Sequence, residues 1–223
     1  MFTTIRNTWA LFFGFALICL GHGLQGSLIG VRSVLENFNY VSTGLIVAGY
    51  YVGFLIGSII IPILLKRVGH IRVFAALASL ASIAILLHSI FIDPYSWFVI
   101  RIFTGVSLAG IFVIMESWLN DKASNKTRGQ LLSIYMIITF VFLGLGQLLL
   151  NISDPANVDL FILVSVLLSL ALLPILLTTS QQPDITKPKS FSIREFYALS
   201  PLGFIGAFLT GMSHSAVFGY GAV

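Results

Sequence analysis

Charged residues and cysteine are scarce in this sequence. Asp, Glu, Lys and Arg account for 9% of the 223 residues, whereas soluble domains contain about 25%. A soluble fold of this size would leave too little polar surface in contact with water, so the composition excludes an ordinary soluble domain. The single cysteine, Cys19, excludes a disulfide within the chain, and its place in an apolar run indicates a packing role.

Recognisable catalytic and metal-binding patterns are also lacking. No two of the four histidines have the i, i+4 spacing of helical metal sites, and they lie on different segments: His22, His70, His88 and His214. The sequence contains no nucleophile–base pair and no phosphate-binding glycine loop. The net charge is +4, but the basic residues are divided among separate loops, which does not favour nucleic-acid binding. We therefore expect no enzyme activity, no bound metal and no cofactor.

Long apolar runs dominate what is present. Apolar residues make up 57% of the chain, and the mean hydropathy is +1.01. About 20 helical residues cross the hydrocarbon of a bilayer. Runs of that length predict seven spans, at residues 9–31, 43–65, 73–92, 95–119, 131–150, 160–178 and 201–223. They do not alternate as barrel strands would, so we predict an all-α membrane protein. A signal peptide is the alternative for the first run, but no A-x-A site follows it, and a retained span is expected.

The distribution of basic residues predicts the orientation in the membrane. The turn between spans 2 and 3 contains Lys66, Arg67 and Arg72. The remaining basic residues assigned to the same side are Arg6, Lys122, Lys126, Arg128, Lys187, Lys189 and Arg194. The opposite loops carry acids, at Glu36, Asp93, Asp154 and Asp159, and Arg32 and Arg101 are the two basic residues outside the pattern. The positive-inside rule then predicts a multi-pass protein of the bacterial inner (plasma) membrane with a cytoplasmic N-terminus.

A polar segment divides the chain. Residues 179–200 include Pro183 and Pro188 and predict a cytoplasmic linker between a six-helix unit at 1–178 and a further helix at 201–223. A capping box at Ser192–Glu195 predicts a short surface helix inside that linker. Ser200-Pro201 reads as an N-cap followed by the first helical residue, and Asp93-Pro94 reads as the turn between spans 3 and 4.

Glycines predict where two spans approach each other closely. Gly49, Gly53 and Gly57 recur every four residues on one face of span 2, and Gly105 lies in span 4. Without side chains, two backbones can come into direct contact along such a face. Static packing and a sliding contact between two moving halves are both compatible with this spacing.

Several short motifs, in their order along the chain, resemble the N-terminal half of the major facilitator superfamily. Arg67, Gly69 and Arg72 lie in the loop between spans 2 and 3. The later motifs are Arg101 with Gly105, Ser107 and Ala109, and Glu116-Ser-Trp118 followed by Arg128-Gly129. The sequence of these motifs is similar to that of a bacterial branch of largely uncharacterised transporters. Three positions depart from the family pattern: Lys66 replaces an acid, His70 replaces an arginine, and Gly144–Gln147 stand where antiporters have Gly-Pro.

The resemblance implies secondary-active or facilitative transport of a small solute by alternating access. Family members have twelve helices in two halves, so the chain is expected to be a partial sequence that lacks a C-terminal half. Its expected partners are the lipid bilayer, a small-molecule substrate and that half, and coupling to a proton or sodium gradient stays open. The alternatives are a half-size protein that self-associates as a pore or semi-transporter, and a membrane scaffold without transport.

Polar residues at membrane depth are the candidates for substrate binding. His22 and Gln25 share one face of span 1, and the surrounding Gly21, Gly23 and Gly26 favour a bend or local unwinding there. Arg101 either extends to the outer interface or, as the resemblance implies, takes part in proton coupling or substrate charge recognition. The further predicted lining residues are Tyr135, Gln147, Tyr50 and Thr139.

A conformational latch is predicted at the cytoplasmic side. Glu116 at the inner end of span 4 is expected to pair with Arg67, Arg72 or Arg128, with Gly69 shaping the loop. Ion pairs made on one side and broken as two halves rock would act as a switch.

Overall fold

The computed structural model describes residues 2–124, 126–177 and 193–220, with side chains described over 9–124, 126–177, 194–195 and 197–213. The helices are α1 (Phe2–Leu35), α2 (Tyr40–Val68), α3 (His70–Ile90), α4 (Pro94–Lys122), α5 (Arg128–Leu148), α6 (Asp159–Leu170), α7 (Leu172–Leu176), α8 (Ile193–Leu199) and α9 (Pro201–Tyr220). A 3-10 turn, Leu149–Ile152, follows α5. The chain divides into two compact units, Met1–Asp184 and Ile185–Val223.

The first unit is an all-α bundle with membrane-length helices, as the apolar runs predict. Six helical segments are long and apolar enough to cross a membrane: Trp9–Leu35, Tyr40–Val68, His70–Ile90, Pro94–Lys122, Arg128–Ile152 and Asp159–Leu176. Six observed helix ends, at Leu35, Tyr40, Val68, His70, Lys122 and Arg128, lie three or four residues beyond the predicted ones, because helices extend into polar capping residues that hydropathy alone does not count. α3 and α5 instead end two residues before the predicted positions. Short connections between spanning helices require neighbours to alternate in direction. The α2–α3 and α4–α5 loops therefore lie at one end of the bundle, here named the basic end.

Local capping explains where the helices begin. The Asn39 side chain accepts a hydrogen bond of 2.7 Å from the Ser42 N–H at the start of α2. Asp93 accepts from the N–H groups of Tyr95 and Ser96, and Pro94 occupies the first helical position, where its missing N–H costs nothing. Between α2 and α3, Gly69 has φ 91°, a conformation that residues with a Cβ rarely adopt.

The helices α2 and α4 approach each other closely along a row of glycines. α2 packs along α4, and an added Cβ on Gly53 would meet the backbone oxygen of Ile102, while one on Gly105 would meet that of Tyr50. A Cβ on Gly49 or Gly57 would lie 2.6 Å or 2.8 Å from a backbone oxygen of α4. Small residues therefore permit backbone-to-backbone contact between these two helices.

The remaining helices enclose the core and are joined by hydroxyl groups. α3 packs against α4 and α6, and α1 packs against α5 and α6. The Ser82 hydroxyl on α3 lies 2.7 Å from that of Ser165 and 3.0 Å from that of Ser169, both on α6. Large buried side chains, among them Trp97 and Trp118, fill the interior. Hydrogen-bonded hydroxyls of this kind join helices whose surroundings offer no water.

Arg32, an exception to the charge pattern, is held at the end opposite to the basic end. Its guanidinium forms an ion pair of 2.6 Å with Glu36 and donates to the backbone oxygens of Pro155 and Ala156 in the α5–α6 loop. A single paired arginine at this end is compatible with the bias of the other basic residues toward the basic end.

One expectation about helix continuity is corrected, and one span contains an interruption. α1 is helical through Gly21, Gly23 and Gly26, so the local unwinding predicted there is absent. Gly23 instead lies against the backbone of Leu143 in α5, which shows that its small size serves packing. The sixth predicted span is interrupted at Ala171, because Pro174 has no N–H to bond the carbonyl of Leu170 and its ring crowds that group.

The second unit contains α8 and α9. Ser200 accepts a hydrogen bond from the Gly203 N–H, 3.2 Å, and α9 begins at Pro201, as the sequence predicts. The predicted short surface helix corresponds to α8, while Ser192, proposed as its cap, lies outside the described residues, as do residues 178–192 and 221–223. The Tyr197 and Phe204 rings make an edge contact at 5.6 Å between centroids and join the two helices.

Candidate functional site

Arg101 is the centre of a polar cluster in the half of the bundle away from the basic end. It lies in the second turn of α4, seven residues after the helix starts at Pro94, or about 10 Å along the axis. Its side chain is only 7% exposed, so it does not extend to the interface. The guanidinium carbon lies 4.7 Å from the ring centroid of Tyr50 on α2. This cation–π contact brings α2 and α4 together at a charged residue.

Tyr50 also connects Arg101 to α1. The rings of His22 and Tyr50 are stacked with centroids 5.7 Å apart, and the Tyr50 hydroxyl lies 3.5 Å from His22 Nε2. Gln25 is one helical turn further along the same face of α1 and is 1% exposed. His22, Tyr50 and Arg101 therefore form one cluster from three helices, and Gln25 lies buried one turn from its His22 member. The sequence identified His22, Gln25 and Arg101 as primary candidates and Tyr50 as a secondary one.

Several donors of this cluster are buried and unsatisfied. Within the described part of the chain, Gln25 Nε2 and Arg101 Nε and Nη1 have no hydrogen-bond partner. The two ion pairs found there, Arg32–Glu36 and Asp121–Lys122, do not involve Arg101. Buried donors usually have acceptors, since leaving them unpaired costs free energy. The cluster is therefore rich in donors and poor in acceptors.

A second polar pair lies toward the basic end. The Tyr135 hydroxyl on α5 donates to Glu116 Oε1 on α4, 3.3 Å, and the Tyr135 ring stacks on Phe15 at 5.0 Å between centroids. Glu116 lies fifteen residues after Arg101 on the same helix, a separation of about 22 Å along the axis. The structure thus brings Tyr135 to Glu116 rather than to the Arg101 cluster. Gln147 is exposed near the opposite end of α5 and joins neither group.

A chain of aromatic rings connects the two polar groups. Its members come from α1, α2, α4 and α5, and successive centroids are 5.0–6.3 Å apart: His22, Tyr50, Phe54, Phe112, Phe15 and Tyr135. Tyr50, Phe54 and Phe112 remain partly exposed. The sequence offered little signal for this arrangement, because phenylalanine is abundant and the neighbours are far apart in the chain.

The predicted latch residues lie at the basic end without forming the predicted pairs. In the described residues, no ion pair joins Glu116 to Arg67, Arg72 or Arg128, all three of which are exposed. Gly69 forms the turn between α2 and α3. A contact that the sequence did not indicate links the helices here: His70 Nε2 lies 3.0 Å from the Ser117 hydroxyl, and its ring packs against Trp118.

His88 is fully buried, and its contacts could not be read from the sequence. His88 Nδ1 lies 2.8 Å from the Ala84 backbone oxygen, and the Trp97 indole donates to the His88 backbone oxygen at 3.1 Å. These contacts join α3 to α4 near the opposite end. Over the residues with described side chains, no three His, Cys, Asp or Glu residues lie close enough together to hold a metal ion.

Comparison with known families decides the evolutionary relationship. Residues 11–223 match the Major Facilitator Superfamily. The chain belongs to this superfamily. The match covers the six-helix bundle and the second unit, and it agrees with the all-α membrane fold described above.

Curated relatives and solved structures are longer than this chain. It is 27% identical over 216 residues to the uncharacterised MFS-type transporter YcaD of Escherichia fergusonii, covering 96% of this chain and 56% of the relative. For YcaD of Escherichia coli strain SMS-3-5 the identity is 26% over 221 residues, with coverage of 98% and 58%. The chain therefore spans a little over half the length of these relatives.

The fold is shared with a bacterial homologue of the human lysosomal transporter Spinster. Its crystal structure in an inward-facing and unoccupied conformation superposes with a TM-score of 0.63 at 16% identity, covering 95% of this chain and 55% of that one. The inward-facing and occupied conformation gives a TM-score of 0.62 at 15% identity, with coverage of 88% and 48%. At these identities the likeness establishes the fold alone.

Proposed function

We propose that this chain forms one half of a secondary-active or facilitative transporter that moves a small solute by alternating access. The observation that carries the proposal is the cluster of Arg101, Tyr50 and His22, drawn from three helices, in which Arg101 is buried, with the buried Gln25 one turn from His22. Burying a charge at membrane depth is costly, and such residues usually serve a solute or ion pathway. Membership of the superfamily supports the same function.

The transporting unit in this proposal combines the six-helix bundle with a second helical half. The length of the curated relatives supports this, since the chain covers 56–58% of them. The solute binds where the two halves meet, near the membrane midplane, and the halves rock around it. The basic end faces the cytoplasm of the inner membrane, because the positive-inside rule predicts that side. A proton or sodium gradient is the expected driving force where transport is active.

The latch is proposed to form in another conformation of the cycle. Here the Tyr135 hydroxyl holds Glu116, while Arg67, Arg72 and Arg128 are exposed at the same end of the bundle. Exchange of the Tyr135 hydrogen bond for an arginine partner would distinguish two states with different access, since each state then has its own set of contacts.

Uptake into proteoliposomes tests transport. Protein containing this chain is reconstituted, given a mixture of labelled small metabolites, and the trapped solutes are identified by mass spectrometry. We expect saturable uptake of at least one solute above protein-free liposomes, and its loss in Arg101→Ala and Gln25→Ala. Phe140→Leu, on an exposed face of α5, is the matched control and should transport normally.

Three results would contradict the proposal. Uptake indistinguishable from protein-free liposomes for all solutes in the mixture argues against transport. Normal uptake in both cluster variants removes the site assignment. If the purified 223-residue chain conducts solutes by itself as a dimer, the self-associating pore replaces the two-half transporter.

A further inference from the structure

We infer that the Arg101 cluster takes a small organic anion with an apolar, preferentially aromatic, body. This inference deepens the proposed function, on which it rests, by assigning a chemical class to the solute. It follows from two independent observations: an excess of buried donors around a permanent positive charge, and a wall of aromatic rings that starts at that charge.

The charge of the cluster selects the charge of the ligand. Arginine stays protonated in proteins, and Arg101 has no ion-pair partner among the described residues. Glu116 lies on the same helix as Arg101, but it is about 22 Å away along the axis. Its carboxylate already accepts a hydrogen bond from Tyr135. A cationic solute would be repelled by the uncompensated guanidinium, whereas an anion would neutralise it in a poorly solvated site.

The N–H groups without a hydrogen-bond partner favour a ligand that accepts hydrogen bonds. Arg101 Nε and Nη1 and Gln25 Nε2 each carry N–H donors without a partner in the described structure. A carboxylate accepts several hydrogen bonds and donates none, so it matches the two unpaired guanidinium nitrogens of Arg101 better than an amide or an alcohol. Hydrogen bonds between an ionised donor and an ionised acceptor are also the strongest of their kind.

The adjacent surface selects the body of the ligand. Tyr50, which carries the guanidinium on its face, contacts Tyr51 at 5.3 Å and Phe54 at 6.0 Å between centroids. Phe54 leads on to Phe112 at 6.3 Å. Tyr50, Tyr51, Phe54 and Phe112 are each partly exposed. A ring or short apolar chain attached to the bound carboxylate would therefore lie along aromatic faces, where stacking and edge contacts add to apolar burial.

Binding of three matched probes tests this inference. Protein containing the chain is placed in lipid nanodiscs, and binding is measured with 3-phenylpropionate, its uncharged amide 3-phenylpropanamide, and the cation 3-phenylpropylamine. Specific binding raises the apparent melting temperature with ligand concentration. We expect the carboxylate to bind at least about tenfold more tightly than the amide, the advantage of a charge-assisted contact, and the amine to give no shift.

Variants separate the anion contact from the aromatic contact. Arg101→Gln should lose the preference for carboxylate over amide, while Arg101→Lys should keep part of it as a point charge. Phe54→Leu should weaken the binding of 3-phenylpropionate but leave the binding of butyrate, which has no ring, unchanged. If Arg101→Gln does not fold, the binding of the three probes to the unaltered protein still shows whether the site prefers a carboxylate.

Equal binding of carboxylate and amide, preferred binding of the amine, or no shift with 3-phenylpropionate up to millimolar concentration would each overturn the inference. Uptake of an amine or a neutral solute without carboxylate binding leaves transport intact and rejects the ligand class. Carboxylate binding without uptake of any solute supports the ligand class and counts against transport.

Discussion

The guanidinium of Arg101 lies on the face of Tyr50, 4.7 Å from the ring centroid, and connects the helices α2 and α4 inside the bundle. The contact places the permanent positive charge of Arg101 against an uncharged aromatic ring. The ring is itself stacked on His22 of α1, so one tyrosine joins three helices at the candidate site.

Replacing Tyr50 should show how much this contact contributes to the free energy of unfolding. A desolvated cation–π contact contributes up to about 2 kcal/mol. Tyr50→Leu should therefore lower the free energy of unfolding by about 1–2 kcal/mol more than Tyr50→Phe, which keeps the ring and loses the hydroxyl near His22. Unfolding in sodium dodecyl sulfate measures both variants. If Tyr50→Leu and Tyr50→Phe lower the free energy of unfolding equally, the hydroxyl and not the ring accounts for the effect.

The glycine contacts predict contrasting effects of alanine within one helix. An added Cβ at Gly53 would overlap the Ile102 backbone, whereas no atom lies within 4 Å of a Cβ at Gly44, also in α2. Gly53→Ala should lower the free energy of unfolding by about 1–3 kcal/mol because the helices must separate. Gly44→Ala should leave it equal or raise it by up to about 1 kcal/mol, since alanine favours helix. The same unfolding assay compares the pair, and a harmless Gly53→Ala would refute close packing of α2 on α4.

Asp93 should contribute a pH-dependent part of the stability. Hydrogen bonds from the Ser96 side chain, and then from the Ser96 and Tyr95 backbone, lower the pKa of this exposed carboxyl below its ordinary value. A carboxyl with a lowered folded-state pKa stabilises the fold above its unfolded-state pKa. That contribution is lost as the pH falls from the unfolded-state value through the folded-state value.

Asp93→Asn is the matched variant, because asparagine also caps helices but does not titrate. Relative to it, the original protein should lose melting temperature on acidification below the ordinary pKa of an aspartate. Parallel melting-temperature profiles for the two proteins through that range would refute the assignment.

The proposed latch predicts non-additive effects on transport. Glu116→Gln and Arg128→Gln should each slow uptake in proteoliposomes. The double variant should be about as slow as the slower single variant, because both changes remove one interaction. Tyr135→Phe, which releases Glu116 without removing its charge, is the control and should leave the charge pairing available. Strictly additive rate losses would indicate that Glu116 and Arg128 act separately.

Cysteine labelling should establish the orientation. Lys66 lies at the basic end and Asn157 at the opposite end, and both are exposed. Gly69, the centre of the turn, is a poor position for a new cysteine because of its positive φ. A membrane-impermeant maleimide should label Asn157→Cys in sealed cells and Lys66→Cys only after permeabilisation. Cys19 is buried and gives a low background. Labelling of position 66 in sealed cells would reverse the topology.

The helical architecture was predictable because it depends on local properties of the chain. Hydropathy identifies each span within a few residues, since a helix of fixed rise must cross a layer of fixed thickness. The start of α4 follows from Asp93-Pro94, where the cap and the missing N–H act within one turn. The local unwinding expected at Gly21–Gly26 is not observed, because the same glycines can serve packing: Gly23 contacts α5, and the sequence does not reveal that neighbour.

The candidate site was predictable only in part. Rarity of polar groups in apolar runs identified His22, Gln25 and Arg101, since burying such groups is costly wherever they pack. The partner of Glu116 was not predictable: Tyr135 reaches it from α5, while the cations that charge alone would favour lie exposed.

Composition and apolar run length determined by themselves that this is an all-α membrane protein with several membrane-length helices in the first unit, and the placement of lysine and arginine predicts its orientation. These are properties of single segments in a layered solvent. Only the tertiary structure decided that Arg101 lies on Tyr50 rather than at the interface, that α1 stays helical through its glycines, and that aromatic rings from four helices connect Arg101 to Glu116. Those outcomes depend on which helix faces fit together, and residues far apart in the chain then become neighbours.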